Sequence, residues 1–235
     1  PQDTSSAASD VYKRQSKSCA KCHKEQYDSW HDSYHRTMTQ DVSEEAIIGR
    51  FDGKETVVAG YPSRMFRRDG QYFMTVVDPA WESEQRSSGR DPMVDQNPKQ
   101  VTYRVDRVVG SHNQQVYLSR GPSGDFHTLP LVWHVAAKRW VTRAGSFLSH
   151  TSGGLFHKTK LWNNGCIFCH NTRPEPGLIV PDSPRGSYTW RSRGVETGIA
   201  CEACHGPGQE HVALQGSLKK TCLLYTSDAA DEVSC

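Results

Sequence analysis

Six cysteines and three histidines of this chain fall in one repeated pattern: Cys19, Cys22 and His23 in CAKCH, Cys166, Cys169 and His170 in CIFCH, and Cys201, Cys204 and His205 in CEACH. Two intervening residues make about one helical turn, so both sulfurs face the same side and the imidazole follows beneath them. Thiols so spaced add across the two vinyl groups of a porphyrin, and the histidine becomes an axial iron ligand. This is the attachment signature of c-type haem. Three copies predict three covalent haem c groups, with iron held by His23, His170 and His205. Zinc knuckles and redox dithiols also use paired cysteines, but neither requires a histidine after each second one.

The elements that must position these groups divide into segments. Residues 16–50 carry the first motif, and CAKCHKEQYDSWHDSYHRTMTQ, free of Gly and Pro, reads as helical. Residues 51–144 have no cysteine and read as a β-rich insertion, with runs such as TVVAGY, SRMFRR, QYFMTVV, QVTYRVDRVV and FHTLPLVWHV. Asp69-Gly70 predicts a tight hairpin, and 79–99 an exposed polar loop. Residues 145–221 hold the second and third motifs among Gly and Pro. The expected fold class is α+β: short helices and irregular segments around covalent haems, with the β-rich insertion between the first and second motifs. At 35% hydrophobic residues, the porphyrins are expected to supply most of the core.

Both ends carry a signature of DNA handling. Ser5 to Gln15 reads SSAASDVYKRQ and Cys222 to Glu232 reads CLLYTSDAADE. One DNA stretch encodes the first, and its reverse complement, read one base out of frame, encodes the second. The pair resembles a transposase adapter used to prepare sequencing libraries. Residues 1–15 and 222–235 are therefore expected to be adapter-derived, and the rest to be a fragment of a longer protein. All six cysteines left outside the ends then belong to haem motifs, and none is expected to form a disulfide.

The remaining segment has 26 basic and 21 acidic residues, a net of +5. The six propionates of three haems would offset it, so the balance does not point to nucleic acid. No run is long and apolar enough for a transmembrane helix in this fragment. Covalent haem is attached outside the bacterial inner membrane. A periplasmic or exported location is expected, with the signal peptide lost through truncation.

Each iron needs a further axial ligand or an open position. Eight histidines lie outside the motifs: His31, His35, His112, His127, His134, His150, His157 and His211. His211 follows His205 by six residues across Gly206-Pro207-Gly208, too near to cross easily to the far face of the same porphyrin. His35 is twelve residues past His23, about 18 Å along a helix, which again points to another haem. His31 shares a helical face with His35 and competes with it. Met38 reads better as packing than as a ligand. His150, His157 and His112 remain open for a third site, as does a five-coordinate haem.

The stretch Trp30-x-x-Ser33-x-His35-x-x-Met38 after a CxxCH resembles a known family, as do RRDGQYF, LPLVWH, WNNGCIFCHNTRPEPG and CEACHGPGQEH. These resemble the multihaem cytochromes related to the tetrahaem electron carrier of ammonia oxidisers (the cytochrome c-552/c-554-like group), including larger forms with tetratricopeptide repeats. The resemblance covers essentially all of 16–221. It implies His35 and His211 as distal iron ligands and a carrier that relays electrons between redox partner proteins. The alternative is a multihaem oxidoreductase acting on a small nitrogen or sulfur compound, of the hydroxylamine or nitrite type, at an open-coordination haem. No catalytic signature such as Gly-x-Ser-x-Gly or a phosphate loop is present, and the carrier is favoured over the enzyme.

Overall fold

The computed structural model describes residues 15–146, 160–182 and 186–217. Within them lie thirteen strands in four antiparallel sheets and a few short helices. This overturns the α+β expectation of a molecule built from helical, haem-wrapping segments. The β-branched and aromatic residues concentrated between Asp52 and Thr142 assemble sheets with an apolar core of their own.

The first sheet has four strands in the order β2 (Asp52–Val58), β3 (Tyr61–Arg68), β4 (Gln71–Val77) and β5 (Gln100–Val105). The second has five: β1 (Thr39–Asp41), β6 (Arg107–Val109), β7 (Gln114–Arg120), β8 (Phe126–His134) and β9 (Arg139–Thr142). Two tight turns set the register of the first sheet. Asp69 and Gly70, at φ 51° and 75°, join Arg68 to Gln71, and Ala59 and Gly60, at φ 51° and 86°, join Val58 to Tyr61. Positive φ at both central residues matches the right-handed strand twist.

Tyr61, Met65, Met74, Val76, Val108, Tyr117, Leu129 and Leu131 fill the main core. A second apolar cluster joins Val109, Val116, Leu118 and Val132 of the five-stranded sheet to Trp162 and Ile167. Ile167 lies inside CIFCH and is fully buried, so one residue of the motif is its anchor to the sheet. Burying such a side chain stabilises by about 1.5–3 kcal/mol. Arg107 adds a second tie, stacked 4.6 Å from the Phe126 ring and 4.8 Å from Trp162 while paired to Asp41 at 2.8 Å.

Two local expectations change. Residues 16–50 are only partly helical: a 3-10 stretch at Ser16–Lys21, an α-helix α1 at Lys24–His31 and a 3-10 turn at Arg36–Met38, followed by strand β1. Helix α1 stops because Ser33 turns its hydroxyl back onto the Trp30 carbonyl at 2.6 Å, satisfying an acceptor that the helix would otherwise use. Residues 79–99 are not all loop. Helix α2 spans Pro79–Ser87, with Asp78 accepting the Ala80 N–H at 2.9 Å and Pro79 in the first turn. The adapter-like ends, Gln15 apart, lie outside the described residues.

Candidate functional site

The motif cysteines and histidines sit on short turns of helix. The His23 N–H donates to the Cys19 carbonyl at 2.9 Å, and the His170 N–H to the Cys166 carbonyl at 3.1 Å. Helix α4 is Ile167–His170, and α5 is Cys201–His205, following α3 at Arg143–Ser146. In the first two motifs the turn folds the histidine back over the first cysteine, the local geometry that a two-sulfur attachment needs.

Three sequence-distant segments converge on residues 196–201. Ser16 reaches Glu196 through its N–H and its hydroxyl, both at 2.9 Å, and accepts the Cys201 N–H at 3.3 Å. The Trp30 indole donates to the Ile199 carbonyl at 2.7 Å, and the Ile199 N–H donates to the His35 carbonyl at 2.9 Å. On the other side, β10 (Asn171–Thr172), directly after the second motif, pairs with β13 (Glu196–Thr197). The buried Thr172 hydroxyl donates to the Gly198 carbonyl and accepts the Ala200 N–H at 2.7 Å. The approach demands glycine at 198: a Cβ there would lie 2.3 Å from the Arg36 carbonyl oxygen.

This staple has a consequence for the histidines. His211, on helix α6 (Gln209–Ser217), lies with its ring centre 6.1 Å from that of His23. The chain reverses at Gly206, φ 75°, and Glu202 accepts the Gly208 N–H at 3.0 Å, fixing the turn. Two imidazoles bonded at about 2 Å to opposite sides of one metal ion have ring centres about 6 Å apart. The His23–His211 pair therefore has the ring spacing that two imidazoles on one metal ion would have. The second histidine of the pair comes from the third-motif segment, not from the first.

The other site residues are placed differently. His170 is half-buried, and its Nδ1 is enclosed without a hydrogen-bond partner. Burial holds its pKa below the ordinary histidine value, against a smaller opposing pull from the Met38 backbone. The neutral form so favoured is the one that binds metal. His205 is exposed. His35 is also exposed and precedes the Arg36–Met38 turn, so it does not continue the face of α1 that carries His31. The separation inferred from an unbroken helix does not apply. His31 stacks on Tyr27 and His112 packs at a tilt on Tyr34, with ring centres 5.7 and 4.2 Å apart. His150 and His157 lie outside the described residues.

Cys19 and Cys201, from the first and third motifs, are in contact. The Cys19 thiol donates to Cys201, which pushes Cys19 up and draws Cys201 down to about 6. Cys166 is half-buried, and burial raises its pKa. Cys169 and Cys204 are exposed free thiols. The mutual approach of these segments, which leaves the sulfurs near one another, has no signal in the motif spacing.

Among the described residues no group of three or more His, Cys, Asp or Glu side chains converges on a metal-sized site. Haem iron asks for less, because the porphyrin supplies its equatorial nitrogens and the protein only the axial ligands. Among the same residues no helix is long and apolar enough to cross a membrane.

Residues 18–55 match the family described as cytochrome c554 and c-prime. The matched stretch holds the first motif, His31 and His35 and runs into β2. At a coarse level this likeness supports a c-type cytochrome. Such proteins carry covalently bound haem c, exchange electrons with redox partners and are typically exported or periplasmic. No curated protein and no solved structure matches the chain.

Proposed function

We propose that this chain is part of a periplasmic or exported multihaem cytochrome that relays electrons between partner proteins. The observation that carries the reading is the 6.1 Å approach of His23 to His211, two imidazoles from segments almost two hundred residues apart at an iron-bridging separation.

The residues that would hold three haems are Cys19, Cys22 and His23, Cys166, Cys169 and His170, and Cys201, Cys204 and His205. A bound haem c supplies reversible one-electron exchange at its iron. The protein's part is to fix ligands and exclude water. His211 and His23 would hold one haem iron between them, and His35 would hold the iron of another haem. Two histidines per iron leave no position for a substrate, so this ligation favours electron transfer over chemistry on a small molecule. Ser16, Trp30, Thr172 and Glu196 hold the three haem segments together, as a carrier with closely spaced haems requires.

The test is expression with a c-type maturation system. A mass gain of three haems that resists acid-acetone extraction, with mainly low-spin EPR signals, is expected. Stoichiometric zinc without haem would overturn the reading. A predominantly high-spin spectrum would replace the carrier by the oxidoreductase.

A further inference from the structure

A cleft of about 570 Å³ lies away from the haem motifs, between β2 and β9. Its floor is aromatic. Trp133 is buried and its ring centre is 5.3 Å from that of Trp140, which Phe51 meets edge-on at 5.4 Å and whose indole N–H donates to the Arg50 carbonyl. Around the rim stand Arg50, Lys54, Lys138 and Arg139, all exposed. None of the four has an ion-pair partner among the described residues. Asp52 and Glu55 share the rim, so cations exceed carboxylates by two, and Asp52 is occupied in accepting the Lys54 N–H at 3.1 Å.

Among the described residues the strands flanking the cleft are the outermost of their sheets: β2 ends the four-stranded order and β9 the five-stranded one. An outermost strand presents backbone donors and acceptors without a sheet neighbour. The two edges differ. Strand β2 shifts register between Asp52 and Glu55, with Gly53 at φ 76°, and such a bulge blunts an edge against pairing. Strand β9 pairs with β8 in unbroken register from Arg139 to Thr142 and keeps a regular outer edge.

The geometry points to a docking groove for an extended acidic segment of a partner protein, added as a strand to the outer edge of β9, with its carboxylates on the cationic rim and its apolar side chains on Trp133 and Trp140. A regular free edge calls for main-chain hydrogen bonds, which an extended peptide supplies and a small anion does not. The excess of unpaired cations supplies the complementarity for carboxylates and for steering their approach.

The test uses the full haem-loaded chain and a fluorescein-labelled peptide of alternating glutamate and valine, followed by anisotropy. Saturable binding is expected that weakens with added salt. The double variant Lys54→Glu/Arg139→Glu should weaken it by about tenfold or more. The neutralised variant Lys138→Gln/Arg139→Gln should weaken it less, which keeps the proposal testable if the charge reversal misfolds. Haem content reports the cytochrome function independently, so a haem-free chain that binds the peptide leaves this groove standing. No binding overturns the proposal, as does binding indifferent to both variants or equal binding of a lysine–valine peptide. Displacement of the peptide by equimolar inorganic phosphate would reassign the cleft to small anions. Self-association in sedimentation, abolished by the same charge reversal while the peptide fails to bind, would reassign it to a second copy of the chain.

Discussion

Ser16 and Glu196, 180 residues apart, are joined by two hydrogen bonds of 2.9 Å, one from the buried Ser16 N–H and one from its hydroxyl. The pair holds the start of the first haem segment against the approach to the third. Ser16→Ala removes the hydroxyl's bond to Glu196 and the acceptor it offers the Cys201 N–H, and should cost about 1–2 kcal/mol. Glu196→Ala strands both donors and should cost about 2–3 kcal/mol. Urea unfolding of both variants measures the two losses, and equal losses would show that the Ser16 N–H finds another acceptor.

Gly198 separates a steric from a conformational requirement. Its φ is 79°, and a Cβ would meet the Arg36 carbonyl at 2.3 Å. Gly70 has φ 75°, and a Cβ there would meet nothing within 4 Å. Gly70→Ala should cost about 1–2 kcal/mol, the strain of a left-handed residue alone. Gly198→Ala should cost more, about 3–4 kcal/mol, because backbone must move as well. Thermal unfolding of the two variants side by side reads the difference.

Local periodicity made some of the fold legible and long-range contact hid the rest. Gln71–Val77 is rich in aromatic and β-branched residues, and its burial alternates through most of its length. Asp69-Gly70 announces its turn because both residue types tolerate positive φ. Ala59 adopts the same conformation without a turn-forming side chain, so TVVAGY reads as one strand where the chain makes two. At the site, the motif residues are legible from spacing. The meeting of Ser16 with Glu196, of Trp30 with Ile199 and of Thr172 with Ala200 has no local signal, since each depends on where the sheets place the ends of the intervening chain. The cationic cleft escapes the sequence for the same reason: Lys54 and Arg139 become neighbours only when β2 and β9 do.

Asp78 predicts an acid limb of stability. Burial opposes its ionisation, but the Lys99 ammonium at 3.0 Å and the Ala80 N–H outweigh it, and its pKa lies below the ordinary aspartate value. A carboxyl with a depressed folded pKa contributes stability that is present above the unfolded pKa and is lost as pH falls through the folded one. The loss should therefore appear below about pH 4. Asp78→Asn keeps an acceptor for the Ala80 N–H and should flatten that limb. Asp78→Ala should also cost about 1 kcal/mol at neutral pH through loss of the helix cap. Urea midpoints measured between neutrality and strong acid check both, and a limb unchanged in Asp78→Asn would assign it to other carboxylates.

His211 and His35 make unequal claims as distal ligands, and the inequality is measurable. His211 faces His23 at 6.1 Å, so His211→Ala should turn one low-spin haem high-spin and open it to carbon monoxide. The affected haem should be the one attached at Cys19 and Cys22, although the substitution sits beside the motif at Cys201. His35 is exposed, and its backbone, not its ring, contacts Ile199. His35→Ala should convert a different haem, so the double variant should convert two. His31 stacks on Tyr27, and His31→Ala should leave the spin states unchanged. A c-type peptide map of the high-spin haem in each variant distinguishes the sites. If His211→Ala left every haem low-spin, the pairing with His23 would be packing and not ligation. If His35→Ala and His211→Ala converted the same haem, the two would be alternative ligands of one iron, and His35 would lose its separate role.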